Sequence, residues 1–208
     1  MQKLLSLSLA LALLCAPALS LAVPVTLSGS GTDILSGVAV PQVPARVTVI
    51  GNVSLTLTGG KYEYDFNSDK AASACAPLTE AATYDALVEG DGPWTIAIDP
   101  LAQGETVAFE GTGPFVSDFF PLDAPHIITF SCTLPDVKDG FALSNVFLDL
   151  NYTNHWASAS SNSLANEMLS GGQSYTADLI LKPEDGASNY YWSLAVDPTV
   201  TWSIVLKK

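Results

Sequence analysis

Positive charge is scarce in this 208-residue chain, which has 8 lysine and arginine residues against 21 aspartate and glutamate residues. The formal net charge at pH 7 is −13. Nucleic acids and anionic lipids bind proteins through lysine and arginine, so a chain this acidic is repelled by both. The sequence therefore predicts no nucleic-acid partner, and the same acidity keeps an exported protein soluble.

Histidine is scarcer still, with 2 residues, and its shortage limits the catalytic chemistry. The two histidines, His126 and His155, stand in no His-Glu-x-x-His pattern, and the chain has no Gly-x-Ser-x-Gly motif. We therefore predict that the protein is not an enzyme and that it has no metal site. A hydrolase remains an alternative, because Asp139, Asp149 and Glu167 are carboxylates that a cleft could bring together.

Calcium is the one metal for which the residues offer ligands. Asp91, Asp139 and Asp185 each precede a glycine, and carboxylates combined with backbone carbonyls suit Ca²⁺. None of them follows the alternating Asp and Asn spacing of a calcium loop, and Asp-Gly is typical of turns. The pattern favours turns over a calcium site, and we predict no cofactor.

Long hydrophobic runs are absent after residues 1–22. This first segment carries Lys3, then a short apolar run, and ends in Ser20-Leu21-Ala22, which is typical of a signal peptide cleaved after Ala22. The apolar run is too short to span a bilayer, and Cys15 lacks the small residues that precede a lipid-anchored cysteine. We expect a secreted chain, periplasmic or extracellular, with no transmembrane segment after cleavage.

Only Cys75 and Cys132 remain after that cleavage. An isolated cysteine pair in an oxidising compartment usually forms one disulfide, and we predict this bond between them. Two unpaired, buried thiols are the alternative.

The chain repeats itself. Residues 92–98, "GPWTIAI", and residues 200–206, "VTWSIVL", each place a tryptophan before alternating apolar residues. The repeat extends to a Gly-x-Gly opening in each copy, at Gly29 and Gly31 and at Gly111 and Gly113. Self-similarity of this length indicates tandem domains. We assign them to residues 23–101 and 105–208, with an insertion in the second near 134–162.

Short alternating segments, separated by Gly, Pro, Asp and Asn, fill both copies. Alternation with a period of two predicts half-buried strands, and nothing between the strands has the length or pattern of a helix. Many short strands without helices indicate antiparallel sheets that pack face to face. The sequence therefore predicts an all-β fold of two tandem, jelly-roll-like β-sandwiches.

Five features of the sequence carry a resemblance to known proteins: the Gly-x-Gly opening, a Thr-rich strand, Asn166-Glu167, a Tyr-rich closing strand and the Trp-x-Ile ending. Together they resemble secreted bacterial β-sandwich repeats, the bacterial pre-peptidase C-terminal domains. The resemblance implies a jelly-roll fold and a non-catalytic accessory, binding or secretion-related module, and it implies no catalytic residue.

Two aromatic residues lack a place in the predicted cores. Trp156 lies among polar residues, and Tyr191 points away from the inward-facing Trp192 if its strand is regular. Exposed rings among Asn and Ser suit stacking on sugars, so both are candidate ligand-binding residues. The alternative for Trp156 is that it covers a sandwich edge.

We therefore predict a secreted binding or structural module at the cell envelope or outside it, with a polysaccharide or cell-surface component as partner. The alternative is a self-assembling envelope or matrix protein, which would have open sheet edges and a defined oligomer. The sequence does not decide the oligomeric state.

Overall fold

The computed structural model describes residues 23–68, 73–136, 142–154 and 159–207, which excludes the predicted signal peptide. Strands occupy most of the described residues, and they pair with one another antiparallel. The described residues include no helix that could cross a membrane. The predicted all-β fold is confirmed.

The first sandwich contains β1 (Val25–Ser30), β2 (Asp33–Val40), β3 (Ala45–Thr58), β4 (Tyr64–Ser68), β5 (Ser73–Leu78) and β6 (Ala82–Pro100). By hydrogen bonding, all six strands belong to one sheet. The long strands β3 and β6 pair with each other on both sides of a register shift, so they run through both halves of this sheet. The β3–β6 register shifts just after Ile50, and φ of Gly51 is 127°. A Cβ at Gly51 would lie 2.8 Å from the carbonyl oxygen of Pro93, so glycine is required at this bend.

The second sandwich contains β7 (Phe109–Thr112), β8 (Phe115–Val116), β9 (His126–Thr133), β10 (Leu143–Asn154), β11 (Ala159–Ser170), β12 (Ser174–Leu181), β13 (Ala187–Ala195) and β14 (Thr201–Leu206). They form two four-stranded sheets with the orders β11-β10-β13-β8 and β12-β9-β14-β7. The inward-facing side chains of both sheets belong to one hydrophobic core.

The two sandwiches share one pattern of strand pairing. The first half of β3 pairs with β5 and the end of β6, as β9 pairs with β12 and β14. The second half of β3 pairs with β4 and the start of β6, as β10 pairs with β11 and β13. β1 pairs with the end of β6, as β7 pairs with β14. The predicted architecture of two tandem antiparallel β-sandwiches is therefore confirmed.

The shared pairing changes the interpretation of residues 134–162. Within this range β10 corresponds to the second half of β3, because Leu148 pairs with Leu194 as Leu57 pairs with Ala86. The extra residues of the second copy therefore lie before β10 and in the longer β10–β11 pairing. The correspondence was hidden because the two strands have different side chains on the same backbone path.

The tryptophan of each repeat is held by the glycine-rich opening of the same copy. The indole Nε1 of Trp94 donates a hydrogen bond to the carbonyl oxygen of Gly31 at 2.9 Å. The indole Nε1 of Trp202 donates to the carbonyl oxygen of Gly113 at 2.8 Å. Both rings are almost completely buried, so these bonds satisfy donors that would otherwise be buried unpaired.

The two sandwiches contact each other through outer sheet faces. Arg46, on the outer face of β3, donates a hydrogen bond from Nη1 to the carbonyl oxygen of Val116 at 3.0 Å. Leu101, Val116 and Tyr191 form a small buried cluster against which Cys75 packs. This cluster is separate from the cores of the two sandwiches.

Candidate ligand-binding face

Of the two aromatic residues predicted to form an exposed site, Tyr191 lies among the described residues and Trp156 does not. Tyr191 is 0 % exposed, so the prediction that its ring faces solvent is wrong. Its ring does point away from the core of its own sandwich, but Leu101 and Val116 cover it in the contact between the two sandwiches. Trp156 lies outside the described residues.

Burial of Tyr191 leaves its hydroxyl group without a hydrogen-bond partner among the described residues. Desolvation raises the pKa of this phenol well above its usual range, so the group stays neutral. A buried hydroxyl group without a partner costs free energy, whereas the ring itself contributes to packing.

Tyr191→Phe is expected to leave the free energy of unfolding unchanged or to raise it by about 1 kcal/mol, because it removes only the unpaired hydroxyl group. Tyr190→Phe is the matched control, since the neighbouring hydroxyl oxygen accepts a hydrogen bond from the backbone N–H of Glu184 at 2.7 Å. Urea unfolding should show that Tyr190→Phe destabilises by about 1 kcal/mol. Equal losses in the two variants would contradict this assignment.

The predicted disulfide is not formed in the structure, where Cys75 and Cys132 are both free. Cys132 is buried in the core of the second sandwich. Cys75 lies on β5 at the contact between the sandwiches, where Thr48 Oγ1 donates to its Sγ at 4.0 Å. Burial raises the pKa of both thiols, which disfavours the reactive thiolate.

A regular array of polar side chains lies on the outer face of the sheet β7-β14-β9-β12. Antiparallel register aligns its residues in two rows that cross all four strands: Thr112, Thr201, Thr133 and Ser174 in one, and Glu110, Ser203, Ser131 and Thr176 in the other. We call these eight side chains the hydroxyl face. Seven of the eight side chains are Ser or Thr and carry a hydroxyl group, and Glu110 at the corner is the one charged side chain.

Neighbouring strands lie about 4.8 Å apart, so the hydroxyl groups within a row are regularly spaced. Thr133 and Ser174 share a hydrogen bond of 2.8 Å, and Thr176 Oγ1 donates to Ser131 Oγ at 3.1 Å. Each pair uses one of its two hydroxyl protons, and each oxygen has two lone pairs. The face therefore keeps both donors and acceptors for a ligand.

One end of the same outer face is apolar. Ile127 and Ile180 pair across β9 and β12, and both are exposed, with Ile180 at 59 %. Exposed Val205 lies on the adjoining strand β14. These three aliphatic side chains, which we call the aliphatic end, add a surface on which the C–H groups of a ligand can pack.

A charged pair lies beside the aliphatic end, with Asp178 in the same cross-strand row as Val205, and it adds no net charge. Lys207 Nζ contacts Asp178 Oδ2 in a salt bridge, and Thr129 Oγ1 donates to Asp178 Oδ1 at 2.8 Å. The hydrogen bond from Lys207, followed by that from Thr129, lowers the pKa of the Asp178 carboxyl below its usual value. Glu110 is therefore the one charged side chain of the two rows and the aliphatic end that this pair does not balance, in a protein with a net charge of −13.

A groove of about 370 Å³ opens beside Ile180, between β11 and β12. It is lined by Leu150, Asn162, Ser163, Leu164, Ile180, Lys182 and Glu184. Asn162 Nδ2 donates to Glu184 Oε1 at 2.9 Å, so these two groups engage each other. The groove therefore presents fewer available polar groups than the hydroxyl face.

The carboxylates of the hydrolase alternative do not form a pair. Glu167 is opposite the inward-facing Val146, whereas Asp149 is opposite Ser163 and Ser193 on the outer side of the same sheet. Asp139 lies outside the described residues. Within the described ranges, no three His, Cys, Asp or Glu side chains form a group that could hold a metal ion.

Comparisons with known proteins find only remote likeness. No family model matches the chain, and no curated protein matches it. Among solved structures, the tandem CBM22-1–CBM22-2 domain of Xyn10C from Paenibacillus barcinonensis is similar at 8 % identity and a TM-score of 0.31, with 88 % of this chain and 92 % of that one covered. The stem and receptor-binding domain of spike protein P1 from bacteriophage PM2 is similar at 6 % identity and a TM-score of 0.28, covering 89 % and 97 %.

Likeness at this level transfers neither residues nor function. The resemblance to pre-peptidase C-terminal domains stays a prediction. The hydroxyl face was missed in the sequence because its members belong to four strands that are distant along the chain. The available signal was the run of Ser and Thr at alternate positions of β9, β12 and β14.

Proposed function

We propose that this protein is an exported, non-catalytic binding protein whose hydroxyl face holds a neutral polysaccharide. The observation that carries the proposal is the pair of rows that set seven hydroxyl groups across four strands. Sugar hydroxyl groups are donors and acceptors at once, as are Ser and Thr. A regular array of such groups therefore suits a polymer that repeats its own hydroxyl groups.

The aliphatic end supports the same class of ligand. Sugar rings carry apolar C–H faces beside their hydroxyl groups, and Ile127, Ile180 and Val205 supply exposed apolar surface beside the two rows. Their aliphatic side chains would act here without a stacking aromatic ring.

Charge favours a neutral polymer over an anionic one. The hydroxyl face carries one charged side chain, Glu110, and the adjoining Asp178 is paired with Lys207, while the whole chain has a net charge of −13. A polyuronate would be repelled by that net charge with no compensating cationic cluster in the two rows.

The test is affinity electrophoresis of the chain from residue 23 in gels containing hydroxyethyl cellulose, xylan or galactomannan, with polygalacturonate as the anionic comparison. We expect retardation by at least one neutral polymer and none by polygalacturonate. The double variant Thr176→Val/Thr201→Val keeps the shape of two exposed side chains and removes their hydroxyl groups. Each lost hydrogen bond is worth about 1 kcal/mol, so affinity should fall by about tenfold or more.

The matched control is Thr26→Val/Thr83→Val, which removes two exposed hydroxyl groups from the first sandwich and should leave binding unchanged. Trp156→Ala, run beside it, examines the predicted stacking residue independently of the hydroxyl face. Absence of retardation by all three neutral polymers, or equal loss in both double variants, would count against the proposal.

A further inference from the structure

The two rows of the hydroxyl face run across the strands. Antiparallel pairing sets each row perpendicular to the strands, with one side chain from each of β7, β14, β9 and β12. Along the strands the pattern is shorter, because the hydroxyl side chains of β9, β14 and β12 end after two or three outward positions and the aliphatic end follows. The same chemistry therefore continues across the strands but not along them.

The spacing of the face across the strands matches the repeat of a sugar chain. Neighbouring strands lie about 4.8 Å apart, and an extended chain of pyranose units repeats at nearly the same interval. The two rows are two residues apart along each strand, which is about 6.8 Å and close to the width of a pyranose ring with its hydroxyl groups. The sheet twist turns neighbouring strands by roughly 20°, and rotation about glycosidic bonds lets successive rings follow it. One chain laid across the strands can therefore place one unit on each strand and reach both rows.

The rows are open at both ends. Thr112 on β7 and Ser174 on β12 are exposed, and in this sheet no described strand lies beyond either of these edge strands. In the middle of the face, Thr133, Ser131 and Ser203 are half-buried. A site that recognises the end of a polymer must close around that end, whereas open ends let a chain continue past the face on both sides. The shape of the face thus favours the interior of a chain.

We propose that the hydroxyl face binds the interior of one polysaccharide chain, which lies across the four strands with about four consecutive sugar units in contact. This inference rests on the proposed function and adds to it the direction of the chain, the number of units held and the part of the polymer that is recognised. The Ser and Thr side chains of the two rows bond the hydroxyl groups on the two edges of each ring. The aliphatic end lies beside the chain, since Val205 follows Ser203 on the outer side of β14.

A site of this kind requires a ligand of a definite length. Each sugar unit up to the fourth reaches the side chains of one more strand and gains hydrogen bonds there. Further units extend beyond β7 or β12 and gain none. Affinity should therefore rise with ligand length and then level off at about four units.

The test is isothermal titration calorimetry of the chain from residue 23 with cello-, xylo- and manno-oligosaccharides of two to six units. We expect the affinity for at least one series to rise by about fivefold per unit from two to four units, the effect of about one hydrogen bond each. From four to six units it should rise by less than about threefold in total. A hexasaccharide whose reducing end is converted to an alditol should bind as tightly as the unmodified one, because interior units make the contacts.

The double variant Ser174→Ala/Thr176→Val examines the direction of the chain, because it removes the two hydroxyl groups that β12 contributes to the rows. The length at which affinity levels off should fall from about four units to about three, while disaccharide binding over the other strands changes by less than about twofold. Thr26→Val/Thr83→Val on the first sandwich is the matched control and should keep the length dependence of the unsubstituted protein. Circular dichroism of each variant shows whether the fold is retained.

The outcomes separate this inference from the function on which it rests. Retardation by a neutral polymer together with an affinity that levels off at two units, or is lost with the alditol, overturns the inference and leaves polysaccharide binding standing. Equal weakening of all ligand lengths by Ser174→Ala/Thr176→Val overturns the direction of the chain in the same way. Absence of retardation by every neutral polymer removes the proposed function and this inference with it.

Discussion

Trp202→Ala is expected to lower the free energy of unfolding of the second sandwich by about 4 kcal/mol, the cost of truncating a large buried aromatic residue. The ring packs against Phe115 with 4.8 Å between centroids, and its Nε1 donates to the carbonyl oxygen of Gly113. Truncation empties the space beneath β7 and leaves that carbonyl oxygen without its donor. Chemical denaturation followed by intrinsic fluorescence and by circular dichroism measures the loss.

Trp202→Phe is the informative companion, because it keeps most of the ring and removes the N–H. Its cost should be about 1 to 2 kcal/mol, the value of one buried hydrogen bond with a small packing defect. Trp94→Ala should produce the same loss in the first sandwich, where Trp94 donates to Gly31. If Trp202→Phe cost as much as Trp202→Ala, the hydrogen bond rather than the packing would be the dominant contribution.

Gly29→Ala is expected to destabilise the first sandwich by about 2 to 3 kcal/mol through overpacking. A Cβ at Gly29 would lie 2.3 Å from Cζ2 of Trp94, so the ring or β1 has to move. The equivalent Cβ at Gly111 would lie 2.9 Å from Cζ2 of Trp202, and Gly111→Ala should therefore cost less. Thermal and urea unfolding of the two variants give the comparison.

Ser28→Ala is the control for this pair, since Ser28 is the exposed neighbour of Gly29 on the same strand. It should change the free energy of unfolding by no more than about 0.5 kcal/mol. A Gly29→Ala variant as stable as the Ser28→Ala variant would show that β1 moves away from the indole at no cost.

The repeat made the architecture predictable. Trp94 and Trp202 stand before the same alternating strand, and the structure gives both the same partner, the glycine-rich opening strand of their copy. Alternation with a period of two identified the strands because each sandwich buries one side of every sheet. Local pattern and packing agree at these positions, so the sequence is informative there.

Tyr191 shows where that reasoning fails. Alternation assigned its side chain correctly to the outer side of β13, and an outer side is exposed only if nothing else packs on it. The first sandwich and residues 101–119 pack on it here, and contacts between domains leave no periodic signal in either one. The hydroxyl face was missed for a related reason, since its rows exist only once four distant strands are in register.

The antiparallel pairing of β1 with β6 also determines how a pulling force would act on the first sandwich. Val25, at the start of β1, is opposite Ile98, near the end of β6, so the chain enters and leaves this sandwich at the same end. The second sandwich repeats the arrangement, with Phe109 of β7 opposite Ile204 of β14. Tension applied between entry and exit therefore peels these strands apart one hydrogen-bonded pair at a time, instead of shearing all the pairs together. Under mechanical load each sandwich would therefore lose its terminal strand pair progressively, starting at the end where the chain enters and leaves it.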